Sequence, residues 1–332
     1  MTVAAVIPHW NRRDLLADLL NNLKQQTRPF DEVIVVDNGS SDGSADLAER
    51  AGARVLRLET NIGFAAAVNK GIEATPCEWV AILNNDVSLE ADWNEMLLHE
   101  AERTEASFAT GKSLAAEKTD FIDGTFDEIA RSGCAWRCGA GKPNAPIWNK
   151  SRVIRMAPMT AGLFRRSLFD EIGFLDEGFG SYLEDVDFGI RCALAGRSGI
   201  YVPEAIAYHR GSSTLGRWNK DTVRWIARNQ VLLARKYLRD QALWPILAGQ
   251  LLWGLVAFRH GRALSYLRGK AAGLRDEAEV LRGVRSPGWK YRKYKPEAVR
   301  ALLEESERTI FELQQHTGFD WYWRIYFWML RR

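Results

Sequence analysis

Residues 81–90 read "AILNNDVSLE": an apolar run suited to a buried strand turns abruptly polar at Asn84, Asn85 and Asp86. It ends the last of four short, apolar, turn-bounded runs, "VAAVIP" (3–8), "EVIVVD" (32–37), "ARVLRL" (53–58) and "EWVAIL" (78–83). Each has the length and punctuation of a strand. Between the first two, "NRRDLLADLLNNLKQQ" carries leucines at 15, 16, 19, 20 and 23, one face of a helix, with Asp14 suited to its first turn. "SDGSADLAERA" and "GFAAAVNKGIEA" supply the next two helices. The order β-α-β-α-β-α-β implies a largely parallel sheet. Ligands of such sheets sit beyond the carboxyl ends of the strands, where "PHWN", "DNGSSD" and "NNDV" all fall. The polar turn after the strand therefore stands where a ligand would bind.

A chain of 332 residues, 46% hydrophobic and 26% charged, is long enough for one large α/β domain with an appendage and is not disordered in character. Its four cysteines form no secreted disulfide framework. The pair in "CAWRC" (134–138) lacks a partnering Cys/His pair, so reduced thiols in a cytosolic setting are expected rather than zinc. "MTVAAVIPHWNRRD" lacks the basic start and long apolar run of a signal peptide, so the catalytic part is expected to face the cytoplasm. Net charge is +3 overall but −10 over residues 1–209 and +13 over 210–332, and eight of thirteen tryptophans lie in the second part. Two regions facing different partners are expected.

Taken one at a time, these strand ends are ordinary turn sequences. Together, "IPHWNR", "VVDNGSSDGS", "NIGFAAAVNKGI", "AILNNDV", "GFLDEGFGSYLEDVDFGIRCALAG" and "AYHRGSS" closely resemble, in order and spacing, the inverting family-2 glycosyltransferases of the GT-A fold over about residues 1 to 240. The resemblance implies a Rossmann-like, mostly parallel sheet flanked by helices. It divides the chain into a catalytic domain (1–215, with a nucleotide-binding half 1–105 and an acceptor and catalytic half 106–215) and a helical region (216–332).

The same resemblance implies site residues. Asp86 is the expected carboxylate ligand of a hard Mg2+ or Mn2+ bridging protein and phosphate oxygens. The family's Asp-x-Asp reads Asn84-Asn85-Asp86 here, as in many rhamnosyltransferase-like members. His209 is a second ligand, with Arg210, Ser212 and Ser213 beside it to bond the diphosphate. Pro8, Asn11, Arg12 and Asp37 surround the nucleobase and ribose. Asn61 and Asn69 line the same cleft, and Gly63 allows backbone to approach the ligand; Asn61 alternatively caps the following helix. Asp185 is the general base and Glu184 binds the acceptor, with the reverse assignment as rival, while Asp187 and Arg191 brace the helix. Residues 107–160 read as polar, loop-rich excursions edging the acceptor site.

The last third reads as helices. "TVRWIARNQVLLARKYLRD" is amphipathic, and "LWPILAGQLLWGLVAF" (243–258), sixteen residues broken by Pro245, Gly249 and Gln250, suits an in-plane or core helix better than a span of about 20 residues. The tail "WYWRIYFWMLRR" reads as an interfacial helix burying Trp321, Trp323, Phe327 and Trp328 in an anionic membrane surface. Its apolar runs are too long for a nucleic-acid groove reader, and Gln-x-x-Arg-Trp, the signature of processive synthases in the family, is absent. The expectation is a metal-dependent enzyme, peripheral on the inner face of the cell membrane, moving one sugar to a lipid-linked saccharide. dTDP-rhamnose is the favoured donor and UDP-galactofuranose or another UDP-sugar the next. A nucleotidyltransferase would want glycine in "PHWNRRD"; a non-catalytic nucleotide-sugar-binding protein is the remaining alternative.

Overall fold

The computed structural model describes residues 1–211, 218–276 and 294–331. The four apolar runs form β1 (Val3–His9), β2 (Glu32–Asp37), β3 (Arg54–Arg57) and β4 (Trp79–Leu83), joined by α1 (Arg13–Leu23), α2 (Ser44–Arg50) and α3 (Phe64–Glu73). β1 lies between β2 and β4 and is parallel to both, with Ala4 opposite Glu32 and Val80; β3 continues parallel beside β2. Flanked on both sides and covered on both faces, β1 is buried from Val3 to Ile7, hence its unbroken apolar sequence. Beyond β4 the sheet runs through β11 (Ala161–Arg165), antiparallel to its neighbours, to β6 (Phe108–Ala115) and then to β12 (Gly199–His209), parallel to β6.

Leu16, Leu19 and Leu23 of α1 join Trp93 and Leu97 of α4 (Trp93–Arg103) on one face of the sheet. Val68 and Ile72 of α3, with Phe169 of α5 (Arg166–Ile172) and Phe188 of α6 (Glu184–Leu194), cover the other. Residues 107–160 are not the polar loops expected. They contain β6, β7 (Lys118–Gly124), β8 (Asp127–Ile129), β9 (Ala135–Arg137) and β10 (Arg152–Ile154), and they bury Phe126, Trp148 and Cys138. β6 and β10 pair with the distant β12, while β7 and β8–β9 are short hairpins whose polar sequences carry no strand signal of their own.

The C-terminal third folds onto this layer as α7 (Lys220–Tyr237), α8 (Leu243–Arg259), α9 (Ala263–Arg275), α10 (Pro296–Thr317) and α11 (Trp321–Leu330). Leu232 and Leu233 of α7 and Val299 and Leu302 of α10 share a buried cluster with Val186 and Ile190 of α6. The tail differs from expectation. Tyr322, Trp323 and Tyr326 belong to the same buried cluster as Val6 and Val80. The Trp323 ring meets Trp136 edge-on at 6.3 Å, and the Tyr326 hydroxyl donates to Glu307 at 2.6 Å. Trp323 is 4% exposed, whereas Trp328 is 55% exposed. Of the aromatics that suggested an interfacial face, Trp323 has a protein partner in Trp136. Among the described residues, no helix is long and apolar enough to cross a membrane.

Truncating Trp323 to alanine should therefore cost about 3–5 kcal/mol in urea unfolding. Trp328→Ala should stay within about 0.5 kcal/mol of wild type. Equal effects would contradict the packing of α11.

Candidate active site

The sheet brings the polar strand ends together. β5 (Val87–Leu89) pairs antiparallel with β12, placing Val87 opposite His209, so that Asp86 arrives beside the imidazole. His209 Nε2 lies 3.1 Å from Asp86 Oδ1, and Nδ1 lies 2.8 Å from Asp123 Oδ2 at the end of the β6–β7 hairpin. Burial alone would push this imidazole down; the bonds to Asp123 and Asp86 outweigh it and raise it to about 9. An imidazole nitrogen and a carboxylate oxygen at this separation can share one divalent cation, which would displace the proton on Nε2. Asp123 would then be the outer carboxylate that fixes the ring's tautomer and orientation. The donor set fits a cation that takes its remaining ligands from phosphate oxygens. Among the described residues no group of three His, Cys, Asp or Glu side chains is placed to enclose one.

The acidic cluster sits at the start of α6. Asp185 receives Arg137 Nη2 at 3.1 Å on Oδ2, and the same guanidinium bonds Asp127 through Nε (3.1 Å) and Nη2 (3.2 Å) and Thr160 Oγ1 through Nη1 (3.0 Å). Thr160 in turn accepts the Asn84 N–H on its carbonyl at 2.8 Å. A continuous bonded path thus links the Asn84–Asp86 turn to Asp185. Burial and the Asp127 charge raise the Asp185 carboxyl to about 6 against the pull of Arg137. Glu184 is held well above the usual carboxylate range by burial and by Asp185, and its Oε2 is buried with no hydrogen-bond partner among the described residues. The two carboxyls are therefore pushed apart, Glu184 well toward its neutral form and Asp185 only to about 6.

The backbone just before this pair is strained. Tyr182 and Leu183 have φ of 71° and 68°, and Asn11 and Arg12, before α1, have φ of 54° and 60°. Left-handed conformation costs a non-glycine residue about 1–2 kcal/mol. What holds the first pair is visible: Asn229 of α7, fully buried, donates its amide to the carbonyls of Phe179 (2.9 Å), Ser181 (2.8 Å) and Tyr182 (2.7 Å). As expected, Asp187 braces α6: it receives Arg191 Nε at 3.0 Å, Lys236 at 2.6 Å and the Tyr237 hydroxyl at 2.8 Å.

The nucleotide-side residues divide into two groups. Asp37, at the end of β2, accepts Ser40 N–H at 3.1 Å, and Asn11 bonds Ser40 and Ser41 across the same turn. Pro8 lies within the β1–β2 ladder opposite Val36, and Arg12 forks onto Asp14 at 2.9–3.1 Å. Asn85 Nδ2 meets His9 Nδ1 at 2.9 Å; burial lowers His9 to about 4, and its Nε2 is buried without a partner among the described residues. Asn69 does not face the cleft. It is 2% exposed, and its amide exchanges bonds with Leu175 backbone at 2.9 and 3.0 Å because the 173–177 loop needs a buried partner there. Gly63 makes its close approach to Gly180 of the protein itself, and Asn61 accepts Gly63 N–H at 3.0 Å, as a residue leading into a helix does. Arg210 reaches Asp18 at 2.8 Å. Ser212 and Ser213 lie outside the described residues. Sequence reasoning missed His9, Asp123, Asp127, Arg137 and Thr160, most of which sit in the stretch read as loops.

Known proteins resemble this chain. Residues 4–173 match the family model for glycosyl transferase family 2. An N-acetylglucosaminyl-diphospho-decaprenol L-rhamnosyltransferase of Mycobacterium tuberculosis is 28% identical over 234 residues, covering 63% of this chain and 74% of its own length. A poly-beta-1,6-N-acetyl-D-glucosamine synthase of Staphylococcus epidermidis is 22% identical over 250 residues, 73% of this chain and 57% of its own. Among solved structures, GalNAc-T7 with UDP, GalNAc and Mn2+ superposes with a TM-score of 0.64 at 13% identity over 96% of this chain, which spans 58% of that one. The mannosyltransferase PcManGT of Pyrobaculum calidifontis with GDP-Man and Mn2+ gives 0.54 at 17% identity over 98% of this chain and 85% of its own. Those likenesses establish the GT-A fold. With a family model spanning just over half of its residues, the chain belongs to glycosyl transferase family 2.

Proposed function

We propose that this glycosyltransferase moves one sugar from a nucleoside diphosphate sugar, with inversion, to a lipid-linked saccharide at the inner face of the cell membrane. The observation that carries the reading is the unlike pair at the start of α6: Asp185 is raised only to about 6 and Glu184 well above its usual range. A single displacement needs one base facing the acceptor hydroxyl, and Asp185 is ionised at neutral pH to take that proton. Glu184, which burial pushes toward its neutral form, has an oxygen without a hydrogen-bond partner among the described residues with which to hold the acceptor sugar. As the acceptor oxygen bonds the anomeric carbon, the bond from that carbon to the diphosphate oxygen breaks. A divalent cation, Mg2+ or Mn2+, held by Asp86 and His209 would neutralise the departing diphosphate. Arg210 stands beside that pair, its N–H donating to the Asp86 carbonyl at 3.1 Å. Asp37, Asn11, Arg12 and Pro8 form the end of the cleft proposed for the base and ribose. L-Rhamnose carried by dTDP is the proposed sugar, supported by the mycobacterial relative's name.

Incubating the protein with Mn2+ and a panel of nucleotide sugars, and measuring binding and slow donor hydrolysis, tests the reading. A response to dTDP-rhamnose above the UDP-sugars is expected; no response to any donor would overturn it.

Asp86→Ala and His209→Ala should each weaken nucleotide binding in the presence of Mn2+ and leave the residual EDTA-insensitive affinity alone. Donor affinity unaffected by EDTA in the wild type would refute the cation site.

Asp185→Asn should preserve donor binding and lose roughly 10²–10⁴-fold in turnover, the usual share of a general base. The sign of the pH dependence follows from the raised carboxyl: it is neutral below about 6 and ionised above. Wild-type turnover should therefore rise with pH through that value and level off by neutrality. If Glu184→Gln abolishes turnover and Asp185→Asn does not, the two roles are exchanged.

A further inference from the structure

Nine of the sixteen large hydrophobic side chains exposed among the described residues lie on α8 and α9. On α8 they form one stripe: Leu243, Leu247, Leu251, Leu255 and Phe258 recur every three or four residues and are 48–70% exposed. On α9, Leu264, Leu267 and Leu274 are 58–59% exposed along one side. The faces turned to the protein carry alanines and glycines, with Leu252 of α8 buried among them. Ala248 of α8 is buried and Gly249 lies against Ser132, and Gly269 and Gly273 of α9 lie against the α7 backbone at Arg224 and Arg228, too close for any side chain. The two helices are held to each other by Tyr266, whose hydroxyl donates to the Gln250 carbonyl at 2.7 Å and whose ring meets Trp253 at 5.6 Å. A helix pair with its glycines inward and every leucine but Leu252 outward reverses the pattern of a water-facing helix.

Charge selects the occupant. Residues 243–275 contain five Lys/Arg and no Asp or Glu. Lys270 is turned inward to Gln230 and Gln250, and Arg262 to the Trp218 carbonyl, while Arg259, Arg268 and Arg275 are exposed beside the leucines. Apolar side chains rimmed by cations, without one acid, match an anionic lipid surface. A second copy of the chain would bring the same cations to the contact.

We propose that the α8–α9 hairpin, not the C-terminal tail, is the surface by which this protein docks on an anionic bilayer, its leucine stripes entering the acyl boundary and Arg259, Arg268 and Arg275 meeting headgroup phosphates. This deepens the reading of a lipid-linked acceptor and rests on it for its purpose. Through the glycines of α9 the hairpin packs on α7, whose Asn229 holds the loop before Glu184 and Asp185. Docking would thus set the catalytic loop one helix layer from the membrane.

The test uses the full chain and extruded vesicles, phosphatidylglycerol mixed with phosphatidylcholine against phosphatidylcholine alone, read by cosedimentation. Wild type should pellet with the anionic vesicles. A Leu251→Glu/Leu255→Glu variant should lose on the order of tenfold or more in partitioning at low and high salt alike, since apolar insertion is not screened. Replacing Arg259, Arg268 and Arg275 with glutamine should weaken low-salt binding and flatten its salt dependence. All five positions are on the surface, and matching thermal melts verify folding. Equal pelleting of variants and wild type, or none by wild type, overturns the proposal. So does a wild-type dimer in light scattering that the leucine variant dissolves without any vesicle binding. Donor binding measured on the same samples separates the two claims: donor bound without vesicle binding sinks the docking surface alone, and vesicle binding without any donor sinks the enzymatic reading alone.

Discussion

One guanidinium organises the acidic side of the cleft. Arg137 bonds Asp127, Asp185 and Thr160 at 3.0–3.2 Å and is 30% exposed along its side chain. Burial would favour losing its proton, and the flanking carboxylates more than compensate, so it stays a cation. Without it, Asp127 and Asp185 would face each other uncompensated, and a buried carboxylate left without its partner protonates or moves. Its position depends in turn on distant parts of the chain. Gly124 leaves the room its side chain passes through, the β8–β9 ladder sets Arg137 opposite Asp127, and the preceding residue, Trp136, is held by Trp323. The C-terminal helices are thus part of what aims the proposed base.

The same dependence appears in the strained loop before α6. Two consecutive left-handed residues persist only where the surroundings over-determine them. Here the surroundings are α7, through the amide of Asn229, and the cluster of Asp187 with Arg191, Lys236 and Tyr237. Burial would raise Asp187, and Lys236 and Arg191 outweigh it and lower the carboxyl. Glu184 pushed toward its neutral form, Asp185 raised to about 6 and Asp187 held below its usual range therefore occupy one turn of one helix. Environment, not residue type, separates their roles.

How much of this was legible in the sequence follows from how local each signal was. β1 to β4 and α1 to α3 could be read because each buries one face against immediate neighbours, and the leucines of α1 state that face at every turn. The strand-end residues Asp37, Asp86 and His209 could be read for the same reason, since strand ends are defined by the strands. Asp123, Asp127 and Arg137 could not. They sit on short hairpins whose polar sequences resemble loops and which reach the site only through pairing with β6 and packing under α11. Asn69 misled in the opposite way, an amide in a motif beside the cleft whose real partner is the backbone of Leu175, 106 residues away. The aromatic tail misled because composition cannot say whether tryptophans meet lipid or another tryptophan.

The central claim is that Arg137 keeps Asp185 an ionised base at neutral pH. A pH–rate profile of Arg137→Met against wild type measures it most directly, because a lost cation changes where the carboxyl titrates, whereas a merely loosened fold lowers the whole curve. The account predicts that the acid limb, near pH 6 in the wild type, moves to higher pH in the variant, with activity partly recovered on the alkaline side. A variant whose limb stays where it is while the plateau falls would contradict it.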